Sequence, residues 1–477
     1  MRLLSSNRLR FAVLLLVSLA LVLGIALWRK ASPAFTPPLP PLAQDPLIQV
    51  YFNHSQSAYY TEPYRGKERL GDNLEQVILD TIQSAQVSID LAVQELHLPK
   101  VAEALRDRHQ AGVRVRVVME NDYSRPWSSI TPADAAQGEE RDRSKYEEFL
   151  QLADANRDGQ VTPAEAEAAD SVLILQRAQV PLIDDTADGS QGSDLMHHKF
   201  MVVDGQTVLT GSVNYSISEV HGDFGSPDSE GNANHLLKIT SPALAQVFMK
   251  EFELLWGDGP GGATDSLFGL QKPYRGPQQV AIAPGSTVTV QFSPTSPSQP
   301  WQQSVNGLIG IALNQSTRSV NMALFVFSDQ NLSDILQSRH QQGVQVRALI
   351  DPGFAFRDYS EGLDMMGIAL PNRQCRYEEG NRPWQAAIAT VGIPQLPEGD
   401  LLHHKYAVVD GRMVITGSQN WSAAANNGND ENLLVIENPT VAAHFEREFE
   451  RLYSTAEIGI PTWLQEKAAS ERASCGL

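Results

Sequence analysis

One string occurs twice in this chain, and it constrains the fold more than any other feature. The first copy is His197-His198-Lys199-Phe200-Met201-Val202-Val203-Asp204, followed by Gly211-Ser212-Val213-Asn214. The second is His403-His404-Lys405-Tyr406-Ala407-Val408-Val409-Asp410, followed by Gly417-Ser418-Gln419-Asn420. A core strand has no need of His, Lys, Ser and Asn at fixed spacing. Their recurrence points to a duplicated half-site. The flanks repeat as well: Arg108-His109-Gln110-Ala111-Gly112-Val113 is echoed by Arg339-His340-Gln341-Gln342-Gly343-Val344, and Glu251-Phe252-Glu253 by Glu448-Phe449-Glu450. Apolar strand candidates precede each flank, at Val87–Val93 and Ser319–Val326, and amphipathic helices are expected near Ala243–Trp256 and Val441–Tyr453. Strands alternating with helical stretches argue an α/β class. His109 and His340 precede a helix-ending Gly and read as capping residues.

Asp204-Gly205 and Asp410-Gly411 lie between apolar runs, a strong hairpin signal. With these pairs as two-residue loops, His197 faces Ser212 and Lys199 faces Thr210. His403 likewise faces Ser418. Alternation then puts His197, Lys199, Ser212 and Asn214 on one face, and His403, Lys405, Ser418 and Asn420 on another. Such a set suits a phosphodiester. Lys, Ser and Asn donate to non-bridging oxygens. One His attacks phosphorus and the other protonates the leaving oxygen. His198 and His404 alternate to the opposite face and are expected to pack or to support. Asp204 and Asp410 read as turn residues, not catalytic ones.

These residues closely resemble the phospholipase D superfamily, whose signature is this His-x-Lys-Asp motif followed by Gly-Ser-x-Asn. The resemblance implies two fused α/β/α sandwich halves whose motifs meet at one cleft on a pseudo-two-fold axis. It implies a phosphohistidine intermediate formed without a metal, His197 as nucleophile and His403 as general acid. It also implies that an acidic residue from the opposite half orients each histidine. Glu431, in Asn429-Asp430-Glu431-Asn432, is the expected partner of His197. The first half departs from the pattern, with Asn234 where Glu is expected, in Asn232-Ala233-Asn234-His235. On this reading an attacking imidazole has a carboxylate and the acid manages with an amide.

The organisation follows. Residues 1–30 hold a membrane anchor or signal segment, 31–47 a Pro-rich linker, 48–258 the first half, 259–286 a link, 287–456 the second half and 457–477 a tail. Phe11 to Leu27 is an apolar run without a charge. It spans roughly 26 Å as a helix, just enough for a bilayer core with its flanks. Arg29-Lys30 directly after it, with no Ala-x-Ala site, favours an uncleaved anchor over a cleaved signal peptide. Arg2, Arg8 and Arg10 favour a cytoplasmic N-terminus and an exported body. Pro33, Pro37, Pro38, Pro40, Pro41 and Pro46 make a stiff spacer. Cys375 and Cys475 could pair in an oxidising compartment.

A second motif stands apart from the repeat. Asp154, Asn156, Asp158, Gln160, Thr162 and Glu165 fall at the ligand positions of an EF-hand loop, with Gly159 at its sharp turn. It is read as a structural calcium site inserted in the first half, around 144–176, with no part in catalysis. The net charge of −19 opposes binding of a long nucleic acid. An anchored body near lipid headgroups favours a phospholipid substrate and, with both half-sites in one chain, a monomer. A nuclease using the same residues, a cardiolipin synthase-like phosphatidyl transferase, and a non-catalytic calcium-stabilised phosphate-binding scaffold remain open at this point.

Overall fold

The two repeats fold into two sheets of matching topology. The computed structural model describes residues 38–477 except 139 and 191, with backbone alone at 140–142. The expected anchor therefore lies outside the described residues, as does the start of the Pro-rich spacer, residues 31–37. Among the described residues no helix is long and apolar enough to cross a membrane. Residues Pro41–Leu477 form one compact unit.

In chain order the first half contributes β1 (Ile48–Phe52), a small ribbon of β2 (Tyr59–Thr61) and β3 (Glu68–Leu70), β4 (Ser88–Val93), β5 (Arg114–Met119), β6 (Leu182–Asp184), β7 (Lys199–Val203), β8 (Thr207–Gly211) and β9 (His235–Thr240). The second contributes β10 (Gln278–Ala283), β11 (Ser286–Phe292), β12 (Ser319–Leu324), β13 (Gln345–Ile350), β14 (Val391–Ile393), β15 (Lys405–Val409), β16 (Met413–Gly417), β17 (Asn432–Glu437) and β18 (Glu457–Ile458). The first sheet runs β1-β9-β8-β7-β4-β5-β6. The second repeats that order as β11-β17-β16-β15-β12-β13-β14 and adds β10 and β18 at its edges. In each, the β4-β5-β6 or β12-β13-β14 set is parallel and the rest antiparallel. The parallel centre explains why Ser88–Val93 is buried along its whole length.

Helices Pro242–Trp256 and Pro439–Tyr453 start alike. Ser241 and Asn438 cap them with side-chain oxygens, and Pro follows at the first helical position. Both helices lie in a core shared by the two sheets, which joins Phe200, Phe248 and Phe252 to Tyr406, Phe445 and Phe449. Separate outer cores back each sheet. The echoed Glu-Phe-Glu strings now have a physical reason. Glu251 and Glu448 bond His198 and His404, each at 3.1 Å. Glu253 and Glu450 bond Arg116 and Arg347, at 2.7 and 2.5 Å.

Two boundaries need correction. The expected tail is structured: β18 pairs with β14, and helix Thr462–Cys475 buries Leu464 and Ala468 in the second half's core. Cys475 on that helix is disulfide-bonded to Cys375. The link between halves also supplies β10, which pairs with β11.

Candidate active site

The hairpins that carry the repeated string are not the two-residue kind. Asp204 and Gly205 have φ of 54° and 61°, and Gln206 N–H donates to the Val203 carbonyl at 2.9 Å. Pairing resumes at Val203 opposite Thr207, which places Phe200 opposite Thr210. Gln206 is thus an extra residue in the loop, and Arg412 plays the same part before Met413 pairs with Val409. The extra residue reverses the expected parity, so Ser212 and Ser418 do not face His197 and His403 across their hairpins. Asp204 accepts from the backbone N–H groups of Gln86, Val87 and Ser88 at 2.7–2.9 Å. Asp410 accepts in the same way from Thr317, Arg318 and Ser319. Both acids therefore hold the loop that enters the central strand of their sheet.

The residues converge through the opposite half instead. His197 N–H donates to the Asp430 carbonyl at 3.0 Å, and Asp430 N–H to the Leu195 carbonyl at 2.9 Å. This cross-pairing brings Glu431 Oε2 to 2.7 Å from His197 Nδ1. In the mirror position Ala233 N–H donates to the Leu401 carbonyl at 2.7 Å, and His403 Nδ1 lies 3.0 Å from Asn234 Oδ1. His403 Nδ1 also lies 3.0 Å from Glu219 Oε2. Sequence reasoning missed Glu219. It left the acid without a carboxylate, whereas both histidines have one, each lent by the other half. A signal existed in the repeat: Glu219 aligns with Ala425, five residues after Asn214 and Asn420, in the half where Asn234 replaces Glu.

The serines hold these partners. Ser212 Oγ donates to Asn234 Oδ1 at 2.7 Å and accepts from His235 N–H at 3.1 Å. Ser418 Oγ bonds Glu431 and accepts from Asn432 N–H at 3.0 Å. Each motif glycine allows this approach. A Cβ on Gly211 would sit 2.2 Å from the His235 carbonyl oxygen, and one on Gly417 2.3 Å from that of Asn432. Asn214 Nδ2 donates weakly to Glu219 Oε1 at 3.4 Å. Asn214 and Asn420 both have side-chain carbonyl oxygens with no protein partner. The lysines donate to main chain beside their own histidines: Lys199 Nζ to the His197 carbonyl at 2.9 Å, and Lys405 Nζ to that of His403 at 2.8 Å.

Electrostatics separate the two imidazoles. Both are 5% exposed. Burial, with the ammonium groups of Lys199 and Lys405, holds His197 well below its ordinary value. Burial also lowers His403, but Glu219 opposes it and leaves it at about 4. Burial alone would raise Glu219, yet His403, Asn234 and Lys405 overcome it and keep its carboxyl well below the usual range. Glu431 is pushed up to about 7 by burial. Burial and Lys199 bring Lys405 down to about 7. The arrangement offers a neutral imidazole at His197, a firmly anionic support behind His403 and the two lysine amino groups of Lys199 and Lys405.

The EF-hand-like loop connects helix Glu140–Ala153 to helix Pro163–Ala169. Asp154 accepts from Asp158 and Gly159 N–H, and Asn156 Nδ2 donates to Glu165 Oε1 at 2.9 Å. Glu165 also closes a capping box with Thr162. Positions 1, 3 and 12 of the loop are thus drawn inward. Among the described residues no three His, Cys, Asp or Glu side chains cluster as a ready metal cage.

A family described as "Cardiolipin synthase, PLD-like domain" matches residues 78–256 and 309–453, more than half of the chain. Mitochondrial cardiolipin hydrolase of Chlamydomonas reinhardtii is 29% identical over 141 residues, 30% of this chain and 54% of that protein. Its counterpart in Xenopus laevis is 31% identical over 157 residues, 33% of this chain and 65% of that protein. The chain spans about half to two thirds of the length of these curated relatives. Phosphatidylserine synthase of Haemophilus influenzae Rd KW20 shares the fold, with a TM-score of 0.53 at 14% identity over 92% of this chain and 96% of that one.

Proposed function

The chain belongs to the phospholipase D-like family, and from that premise we propose that it cleaves a phospholipid phosphodiester through a phosphohistidine. The observation that carries this reading is the reciprocal loan of Glu431 to His197 and Glu219 to His403. With Nδ1 held by Glu431, Nε2 of neutral His197 is the nitrogen left for attack. It forms the N–P bond as the P–O bond to the leaving alcohol breaks. His403 gives its proton to that oxygen, and Glu219 supports the imidazolium before transfer. In the second step His403 takes a proton from water, the water oxygen bonds phosphorus, and the N–P bond breaks. Lys199 and Lys405 hold the non-bridging oxygens. Ser212 and Ser418 act by fixing Asn234 and Glu431.

Cardiolipin is the first substrate to test, because relatives of this chain bear the name cardiolipin hydrolase. The net charge of −19 disfavours a long nucleic acid. An anchored, exported monomer is the localisation we attach to this reading, and the paired Cys375 and Cys475 fit an oxidising compartment. Calcium at Asp154–Glu165 is proposed as a structural ligand, held by Asp154, Asn156, Asp158, Thr162 and Glu165 side chains and the Gln160 carbonyl. Raised thermal stability with calcium, lost in Asp154→Ala, supports it; no shift in the wild type sinks it. For the activity, His197→Ala and the wild type are compared on cardiolipin vesicles, phosphatidylcholine vesicles and single-stranded oligonucleotides. Cleavage of lipid lost in the variant supports the proposal, whereas cleavage of oligonucleotides alone refutes it. Product analysis with added glycerol separates hydrolysis from phosphatidyl transfer.

A further inference from the structure

The helix inserted into the first half does more than flank the EF-hand-like loop. Tyr146 and Phe149 fix it in the outer core of that half. The adjoining stripe of the helix presents two charged side chains, Lys145 and Glu148, to the segment that carries Glu219. Lys145 Nζ donates to Ser218 Oγ at 3.0 Å. Glu148 Oε1 accepts from Ser218 N–H at 2.7 Å. The insertion thus grips residue 218 by side chain and main chain, one position before the carboxylate that supports His403. Lys145 also lies 3.3 Å from Glu95 and 3.5 Å from Glu148. The Lys145 and Glu148 side chains are only 14% and 16% exposed. Glu95 is tied to the same strand exit, where its carbonyl accepts from Tyr215 N–H at 3.3 Å.

We propose that Lys145, seated by Glu148, is a positioning residue for the general acid: it fixes helix Ile217–Val220 so that Glu219 stays on His403. Nothing in the duplicated string requires this, because the second half has no such insertion and has Ala425 where Glu219 stands. Asn234 Nδ2 donates to Glu219 Oε2 at 2.6 Å, and Asn53 and Asn234 donate to its carbonyl. Lys145 and Glu148 act one residue earlier, on the four-residue helix that carries it, whereas Glu431 directly precedes β17. The charges facing this group come from several elements. Lys145 interacts with Glu95, Glu148, Glu219 and Tyr123. Glu219 faces His403 and Lys405 from the other half, and Asp223 follows it in the chain. Burial would lower the Lys145 ammonium, but Glu95, Glu148 and Glu219 outweigh it and hold the group well above its ordinary value.

The inference rests on the phosphodiesterase reading, and the test separates the two. First-turnover rates are measured on a phosphodiester with an alkyl alcohol leaving group and on bis-p-nitrophenyl phosphate, whose leaving group departs without a proton. Lys145→Met is expected to slow the alkyl substrate about tenfold, the scale of one misplaced charged hydrogen bond, and the nitrophenyl substrate less than twofold. Lys145→Arg restores the ratio. Ser218→Ala, which removes only the side-chain contact, shifts the ratio the same way by a smaller amount and covers the case in which Lys145→Met does not fold. Equal loss on both substrates, or no loss on either, overturns the proposal. His403→Ala must show the same selectivity more strongly; if it does not, the general-acid reading fails instead. The ring-nitrogen NMR shifts of His403 give a readout without turnover. They change in Lys145→Met and not in Lys145→Arg if the brace is real.

Discussion

Glu219→Gln removes the charge behind His403 while keeping a side chain of the same size. His403 Nδ1 loses a charged partner at 3.0 Å, and hydrogen bonds to charged groups are worth about 1.5–3 kcal/mol. One pKa unit corresponds to about 1.4 kcal/mol. The imidazolium of His403 is therefore expected to weaken by about one to two units. Burial already holds that group at about 4, so each further unit removes about nine tenths of the remaining acid form at neutral pH. The expected result is a kcat on cardiolipin vesicles about 10- to 100-fold lower, with KM little changed. Thermal unfolding checks that the fold is intact. In Glu219→Gln/Asn234→Glu the carboxylate moves to the position that mirrors Glu431, and part of the lost rate returns. Asn234→Glu alone is expected to be harmful, because two buried carboxylates then crowd one imidazole. A Glu219→Gln enzyme within twofold of wild type rules out a charged support behind His403, as does a double variant no better than the single one.

Other outcomes follow from the same geometry. Asp204→Ala leaves three backbone N–H groups without their acceptor; it is expected to cost about 3 kcal/mol in denaturant unfolding, with no selective change between leaving groups. Lys405 is brought down to about 7 from an ordinary 10.5, and its protonated form is needed to bind phosphate. Free-enzyme kcat/KM therefore falls as pH rises through about 7, and Lys405→Arg abolishes that limb of the profile while lowering the rate overall. Because the folded value lies below the unfolded one, the stability Lys405 contributes is full above about pH 10.5 and lost as pH falls through about 7. Glu431 has the opposite sign: raised to about 7 from 4.5, it contributes stability below about pH 4.5 that is lost as pH rises through about 7. Glu431→Gln stability curves measured against pH check the second sign. Cys475→Ser frees the C-terminal helix from Cys375 and is expected to cost about 2–4 kcal/mol, read as a lower Tm.

The repeated string made the doubled architecture legible, because its spacing and its echoed flanks occur in both halves. It also made Glu431 legible, since Asn429-Asp430-Glu431-Asn432 keeps the expected pattern before an apolar strand. Hairpin parity was not legible. Asp-Gly announces a turn but does not say whether Gln206 or Arg412 joins the ladder, and one extra residue inverts every face. The supposed direct role of Ser212 and Ser418 fell with that parity, since both hydroxyls are occupied by Asn234 and Glu431 and by the main chain. Glu219 was hidden for a different reason. It is brought to His403 by tertiary contact from a short helix, with no periodic signal of its own. Only the contrast with Ala425, read together with Asn234, could have pointed to it. The cross-half lending of Glu219 and Glu431 also replaces the argument from asymmetry. What distinguishes the histidines is how their carboxylates are charged, since Glu219 is firmly anionic and Glu431 is not.

If His197 attacks phosphorus and His403 protonates the leaving oxygen, the covalent intermediate forms on His197. Turnover is quenched under alkaline denaturing conditions, which preserve phosphohistidine, and the phosphorylated residue is mapped by mass spectrometry. The expected result is an adduct on His197 in the wild type and none in His197→Ala. An adduct on His403, or turnover in His197→Ala at the wild-type rate, contradicts it.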